Sequence, residues 1–130
     1  MRKNALRLLA ASAFAAIAAP IAANEFDQVW SCELNPGKSL DDARAISLTW
    51  LKAAKSMESG DQLQAFINYP IIVNDSQNRF DFVVRAPSLA AWGAFYDKYD
   101  SGTAVAKADE EFATVATCSG STMWENIKVE

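Results

Sequence analysis

Residues 26–51, FDQVWSCELNPGKSLDDARAISLTWL, change their periodicity half-way along, and that change decides the fold. From Phe26 to Leu34 the residues alternate, with Phe26, Trp30, Cys32 and Leu34 on one side and Asp27, Val29, Ser31 and Glu33 on the other. A period of two is a strand. Asn35, Pro36 and Gly37 then form a turn: Pro presets φ at the first central position and Gly accepts a positive φ at the second. Ser39 stands where a side-chain oxygen caps free helical N–H groups, and Asp41 and Asp42 place negative charge in the first turn, where the helix dipole favours it. Apolar residues recur from there at helical spacing, Ala43, Ile46, Trp50, Ala53 or Ala54 and Met57, joined by Leu40 and Leu51. Gly60 is read as the stop.

Downstream, Leu63 to Val73 is almost continuously apolar, the pattern of a strand covered on both faces, with Pro70 implying an edge position or a bulge. The polar cluster Asn74 to Asn78 is a turn, and Arg79 to Arg85 alternates again with Phe80, Phe82 and Val84 on one side, so the pair reads as a hairpin. Ser88, after Pro87, caps a second helix with Leu89, Trp92, Phe95 or Tyr96 and Tyr99 on its apolar side. Ser101 and Gly102 break the chain before a further helix from Thr103 to about Ala116, which buries Val105, Ala108, Phe112 and Val115. The last stretch, Thr122 to Val129, sets Met123, Ile127 and Val129 against Trp124, Asn126 and Lys128 and is read as the closing strand. This order predicts an α+β protein: a ferredoxin-like βαββαβ sandwich, in which a four-stranded antiparallel sheet carries helices on one face.

The N-terminal stretch reads differently. Arg2, Lys3 and Arg7 precede a charge-free run from Leu8 to Ala19, Pro20 interrupts it, and Ala22 and Ala23 offer a small-residue exit. That is the anatomy of a cleavable signal peptide over residues 1–23, followed by a single domain over 24–130. The apolar run is shorter than the roughly 20 residues that cross a bilayer, so no membrane span is expected after cleavage. The three basic residues before the cut are lost with no acidic ones, which moves the formal net charge from −4 to −7. An acidic surface argues against binding nucleic acid or anionic membrane, since both require Lys and Arg to neutralise phosphates. The expected location is the periplasm or the exterior.

Only two cysteines are present, Cys32 and Cys118. In an exported chain an even count is first read as a disulfide. Two buried free thiols are the other reading, which export disfavours, and a metal site would need further ligands in a chain with no His. The absence of His also removes Ser-His-Asp and Cys-His catalysis and His-ligated zinc or haem. No phosphate loop, dinucleotide fingerprint or calcium loop occurs, and no cofactor or metal is expected. If the first and last strands are neighbours, as the βαββαβ order requires, Cys32 and Cys118 come close to each other, so topology and disulfide support one another.

Cys32, the Asn35-Pro36-Gly37-Lys38 turn, Ser39 with Asp41 and Asp42, Trp50, Pro87-Ser88-Leu89 with Trp92, and Cys118 together resemble the dimeric α/β-barrel superfamily, and the chain is also similar to small exported bacterial proteins of unassigned function. The resemblance spans nearly the whole mature chain and rests on structural rather than catalytic residues. It implies pairing of two copies through their open sheet faces and a pocket between sheet and helices. Members of that superfamily include cofactor-independent oxygenases and haem-degrading enzymes, and the axial His of the latter has no counterpart here.

Trp30, Trp50 and Trp92 fall on core-facing stripes, where packing is their ordinary role. Trp50, Asn68, Tyr69 and Trp92 are the candidates for lining a ligand pocket. Arg79, Asp81 and Arg85 share the open sheet face, and with Trp124 they are the candidates for an interface between two copies. A carboxylate pair such as Glu33 and Asp81 is better read as ion-pair partners than as catalysts, and Asp109, Glu110 and Glu111 as a solvated helix face. The function expected is non-catalytic binding of a small apolar ligand or a protein partner, with a cofactor-independent oxygenase using Trp50, Asn68 and Tyr69 as the alternative.

Overall fold

A computed structural model describes residues 24–72 and 78–130. The signal peptide read over residues 1–23, and all of the turn read at Asn74 to Asn78 except Asn78 itself, lie outside them. Seven elements follow in order: β1 (Glu25–Leu34), α1 (Leu40–Lys55), β2 (Gln64–Asn68), β3 (Arg79–Ala86), α2 (Leu89–Tyr96), α3 (Ala104–Ala113) and β4 (Ala116–Asn126). The sheet order is β2-β3-β1-β4 and its three pairings are antiparallel. This is the ferredoxin-like βαββαβ arrangement, with three helices on one face.

The alternation in β1 sorts the two faces. Cys32 packs toward the helices with Phe80, Phe82, Val84 and Ala86 of β3, against Ala43, Ile46, Trp50 and Ala54 of α1, Trp92 and Phe95 of α2, and Val105, Ala108 and Phe112 of α3. Ser39 begins α1 with a reciprocal cap: its Oγ accepts from the Asp42 N–H at 3.2 Å, and the Asp42 carboxylate accepts from the Ser39 N–H at 2.8 Å. Cys32 and Cys118 lie directly opposite on β1 and β4, with Cα atoms 3.9 Å apart, and form a disulfide. On the chain-entropy account, closing a loop of 86 positions stabilises the fold by about 4 to 5 kcal/mol.

Four expectations change. The second strand is five residues long, ending at Asn68; it lies at the sheet edge, as Pro70 implied, but its burial alternates, so it is covered on one face and not on both, and Pro70 lies beyond its end with Ile71 and Ile72 exposed. Pro lacks the N–H that would continue the ladder, so the apolar run outlasts the strand. The closing strand begins at Ala116, where the third helix had been expected to end, and stops at Asn126, which leaves Ile127 and Val129 exposed beyond it. Its inner-face Met123 is also largely exposed, and Leu89 faces solvent at the first turn of α2. Helix α1 ends at Lys55 with Ser56 as its cap, not at Gly60.

Within β4 the register shifts: Trp30 pairs with Ser121 but Ser31 pairs with Ser119, so Gly120 is an extra residue, held at φ +71°. A glycine in the left-handed region at this place is a β-bulge. It keeps Cys118 and Met123 on the helix side while turning Thr122 and Trp124 to the open face. Gly60 is constrained in another way, since a Cβ there would overlap the carbonyl oxygen of Ala54. Gly60→Ala is therefore expected to lower the unfolding free energy by about 1–3 kcal/mol, measurable by urea denaturation. Unchanged stability would show that the loop after α1 is free to move away.

Candidate functional site

The inner faces of β1 and β3 supply the floor of a cavity between sheet and helices. Trp30 and Phe82 are register partners with stacked rings, centroids 5.7 Å apart. Phe82 is the hub: Trp50 of α1 meets it edge-on at 5.4 Å, and Phe112 of α3 lies 5.0 Å away. Trp92 of α2 stands edge-on to Trp30 at 6.3 Å and touches Phe95 and Tyr96. Tyr96 stacks on Tyr99, just past the helix, at 6.0 Å. Between these rings, set at angles from stacked to edge-on, lies a space of about 360 Å³. Asp109, Ala113, Ala116 and Cys118 complete its wall.

Asp109 is the one charged side chain in that lining. The Trp50 indole N–H donates to Oδ1 at 2.8 Å and the Tyr99 hydroxyl donates to Oδ2 at 2.7 Å. Three segments are tied through one carboxylate: α1, the chain after α2, and α3. The hydrogen bond to Asp109, reinforced by partial burial and by the carboxylate's own charge, pushes the Tyr99 phenol from 10.0 up to about 12. Tyr99 is thus a donor at neutral pH, not a base. Among the described residues no group of acidic or cysteine side chains is placed to hold a metal ion.

The structure divides the residues singled out from sequence. Trp50 and Trp92 lie on the cavity wall, with Trp30 beside them. Asn68 and Tyr69 do not: they stand at the end of β2, in a shallow depression with Pro70, Arg79 and Asp81. Asp109 and Tyr99 had been assigned to a solvated face and an apolar stripe, and the sequence signal that could have linked them to Trp50 is weak, because the three are distant in the chain.

Arg79, Asp81, Arg85 and Trp124 all occupy the open sheet face. Arg85 grips Asp27 with two hydrogen bonds, 2.7 and 2.8 Å, approaches Glu25 at 3.4 Å and lies over the Phe66 ring, 5.0 Å from its centroid. Arg85 holds the Asp27 carboxyl below its ordinary range, chiefly through those hydrogen bonds. Asp81 accepts from the Ser31 hydroxyl at 2.9 Å, and Glu33 is the register partner of Arg79, so the carboxylates of this face serve as structural partners. Val83 is buried to 2% exposure on this side, while Trp124 remains 59% exposed.

A folded-state value for Tyr99 above the ordinary one means that the tie contributes fully below about pH 10 and is lost as pH rises toward 12. Ultraviolet titration should show one of the three tyrosines ionising near pH 12, and Tyr99→Phe should remove that step. A step lost in Tyr99→Phe that lies near pH 10 instead would show that the hydrogen bond is not held in solution.

No protein-family model and no curated protein matches the chain in sequence. Solved structures do match it in shape. SnoaB, a cofactor-independent oxygenase from Streptomyces nogalater, superposes with a TM-score of 0.56 at 6% identity, covering 82% of this chain and 97% of that one. A candidate antibiotic biosynthesis monooxygenase from Chloroflexus aurantiacus J-10-fl gives 0.53 at 8% identity, covering 82% and 96%. A dimeric protein of unknown function and ferredoxin-like fold from Bacteroides fragilis NCTC 9343 gives 0.47 at 9%, covering 78% and 96%. The chain thus shares its ferredoxin-like fold with these solved structures.

Proposed function

We propose that this is an exported, non-catalytic binding protein that holds a small apolar ligand between sheet and helices and pairs with a second copy through the open sheet face. The observation that carries the ligand reading is the cavity of about 360 Å³ walled by eight aromatic rings, within the size range of small-molecule sites. Its ionisable groups are engaged. Both Asp109 oxygens accept from neighbours and Tyr99 is held protonated, which favours binding over acid-base chemistry. Export is supported by the leader-like residues 1–23 and by the disulfide, and among the described residues no helix is long and apolar enough to cross a membrane. The oxygenase alternative draws on the names of two proteins that share the fold.

Titration with N-phenyl-1-naphthylamine, a neutral fluorescent probe, should be saturable, one site per chain, and should quench the tryptophans of the cavity wall. Ala113→Trp, which places a ring in the opening from an exposed position, should abolish binding while leaving the fold intact. Binding that survives the substitution, or no binding at all, would overturn the reading.

The pairing reading rests on Trp124 and Phe66, exposed beside the fully buried Val83 on a face that also carries the Arg85 and Asp27 charges. Sedimentation should give a dimer of the cleaved chain, and Trp124→Asp should give a monomer. A wild-type monomer at micromolar concentration would refute it.

A further inference from the structure

The charge balance of the cavity is one-sided. Asp109 is ionisable, its two oxygens are oriented by neutral donors, Trp50 and Tyr99, and among the described residues no Lys or Arg lies within ion-pair distance of it. A half-buried carboxylate beside aromatic rings is suited to pair with a cation, whose field is less screened there than in open water. A cation that rests over the face of one of the lining rings gains in the same sense, because an aromatic face carries the negative lobe of the ring's quadrupole. Indole and phenol hydrogen bonds orient the charge without cancelling it. Each carboxylate oxygen still has acceptor capacity beyond the one bond it makes here.

We infer that the cavity takes an organic cation, an aryl- or alkylammonium whose charged head rests against Asp109 and whose apolar part lies among Trp30, Trp92 and Phe82. The assignment rests on the reading of the cavity as the ligand site and adds a cationic head to the apolar ligand proposed for it. An anionic ligand meets repulsion from Asp109 and from the ring faces. A neutral hydrocarbon of the same shape meets the same apolar wall without the electrostatic gain. The acidic chain, of formal net charge −4, adds a long-range attraction of the same sign.

The test compares benzyltrimethylammonium with neopentylbenzene, which has the same shape and no charge, each displacing N-phenyl-1-naphthylamine. The cation is expected to bind about tenfold more tightly than its isostere. Asp109→Asn, which keeps a carbonyl oxygen for one of the two donors, should erase that preference. Tyr99→Phe, which leaves the carboxylate in place, should retain it. Should the Asn variant fail to fold, the comparison in the wild-type protein and in Tyr99→Phe still decides the matter. Equal affinity for cation and isostere, or preference for the isostere, would overturn the cation assignment and leave the cavity as a ligand site. Failure of the naphthylamine probe itself to bind would overturn both.

Discussion

Cys32 and Cys118 face each other across β1 and β4, and the register they lock decides which side of the sheet every other side chain meets. A slip of one residue in a strand with period two exchanges its faces. With Cys32 turned inward, Trp30 must also point inward, and Asp27, Val29 and Ser31 must point outward. β1 is central, hydrogen-bonded to β3 on one side and β4 on the other, so its phase is imposed on both. The bulge at Gly120 is the one correction: without the extra residue, the half of β4 beyond Ser119 would present the opposite faces, and Trp124 would lie beneath the helices instead of beside Asp27.

With the phase set, the aromatic content of the inner face produces an opening. The rings keep their centroids 5.0 to 6.3 Å apart, three pairs edge-on and the others stacked or tilted, and flat rigid rings adapt to residual space less readily than a flexible Met does. Helices α2 and α3 would be poorly anchored around such a gap by ring packing alone. The carboxylate of Asp109 supplies the missing constraint, because one side chain accepts from α1 through Trp50 and from the segment after α2 through Tyr99. Hydrogen bonds to a charged acceptor contribute roughly 1.5–3 kcal/mol, comparable to burial of one large apolar side chain. The same group is the one charged side chain in the cavity lining.

Much of the architecture was legible because it is written in short-range patterns. The alternation in Phe26 to Leu34, the Asn35-Pro36-Gly37 turn, the Ser39 cap and the stripe of Ala43, Ile46 and Trp50 each involve neighbours within a few positions, and the antiparallel order follows from their sequence. The features that were not legible are those whose partners are distant. Asp109 sits in an acidic run with Glu110 and Glu111, and nothing local separates it from them; its distinction comes from Trp50, 59 positions earlier. Asn68 and Tyr69 were grouped with Trp50 by composition, whereas the short β2 leaves them at the far end of an edge strand. Pro70 points to the edge position that β2 has, but the apolar run from Leu63 does not reveal that helices cover the sheet on one face only.

The two faces of the sheet are chemically separate although they share the same strands. Toward the helices, β1 and β3 present Trp30 and Phe82 to a cavity with a single negative charge; toward the open side, their neighbours in sequence, Ser31, Asp81 and Val83, present neutral or internally paired groups. Arg85, the one guanidinium gripped on the open face, already has Asp27 and Glu25 and points away from Asp109 by the same alternation. A second copy covering the open face would therefore bury Trp124 and Phe66 without covering the cavity, whose wall is completed by Tyr96, Tyr99 and Ala113 on the helix side. Under the proposed function, alternation along β1 would let association on one side and ligand capture on the other act without competing for the same residues.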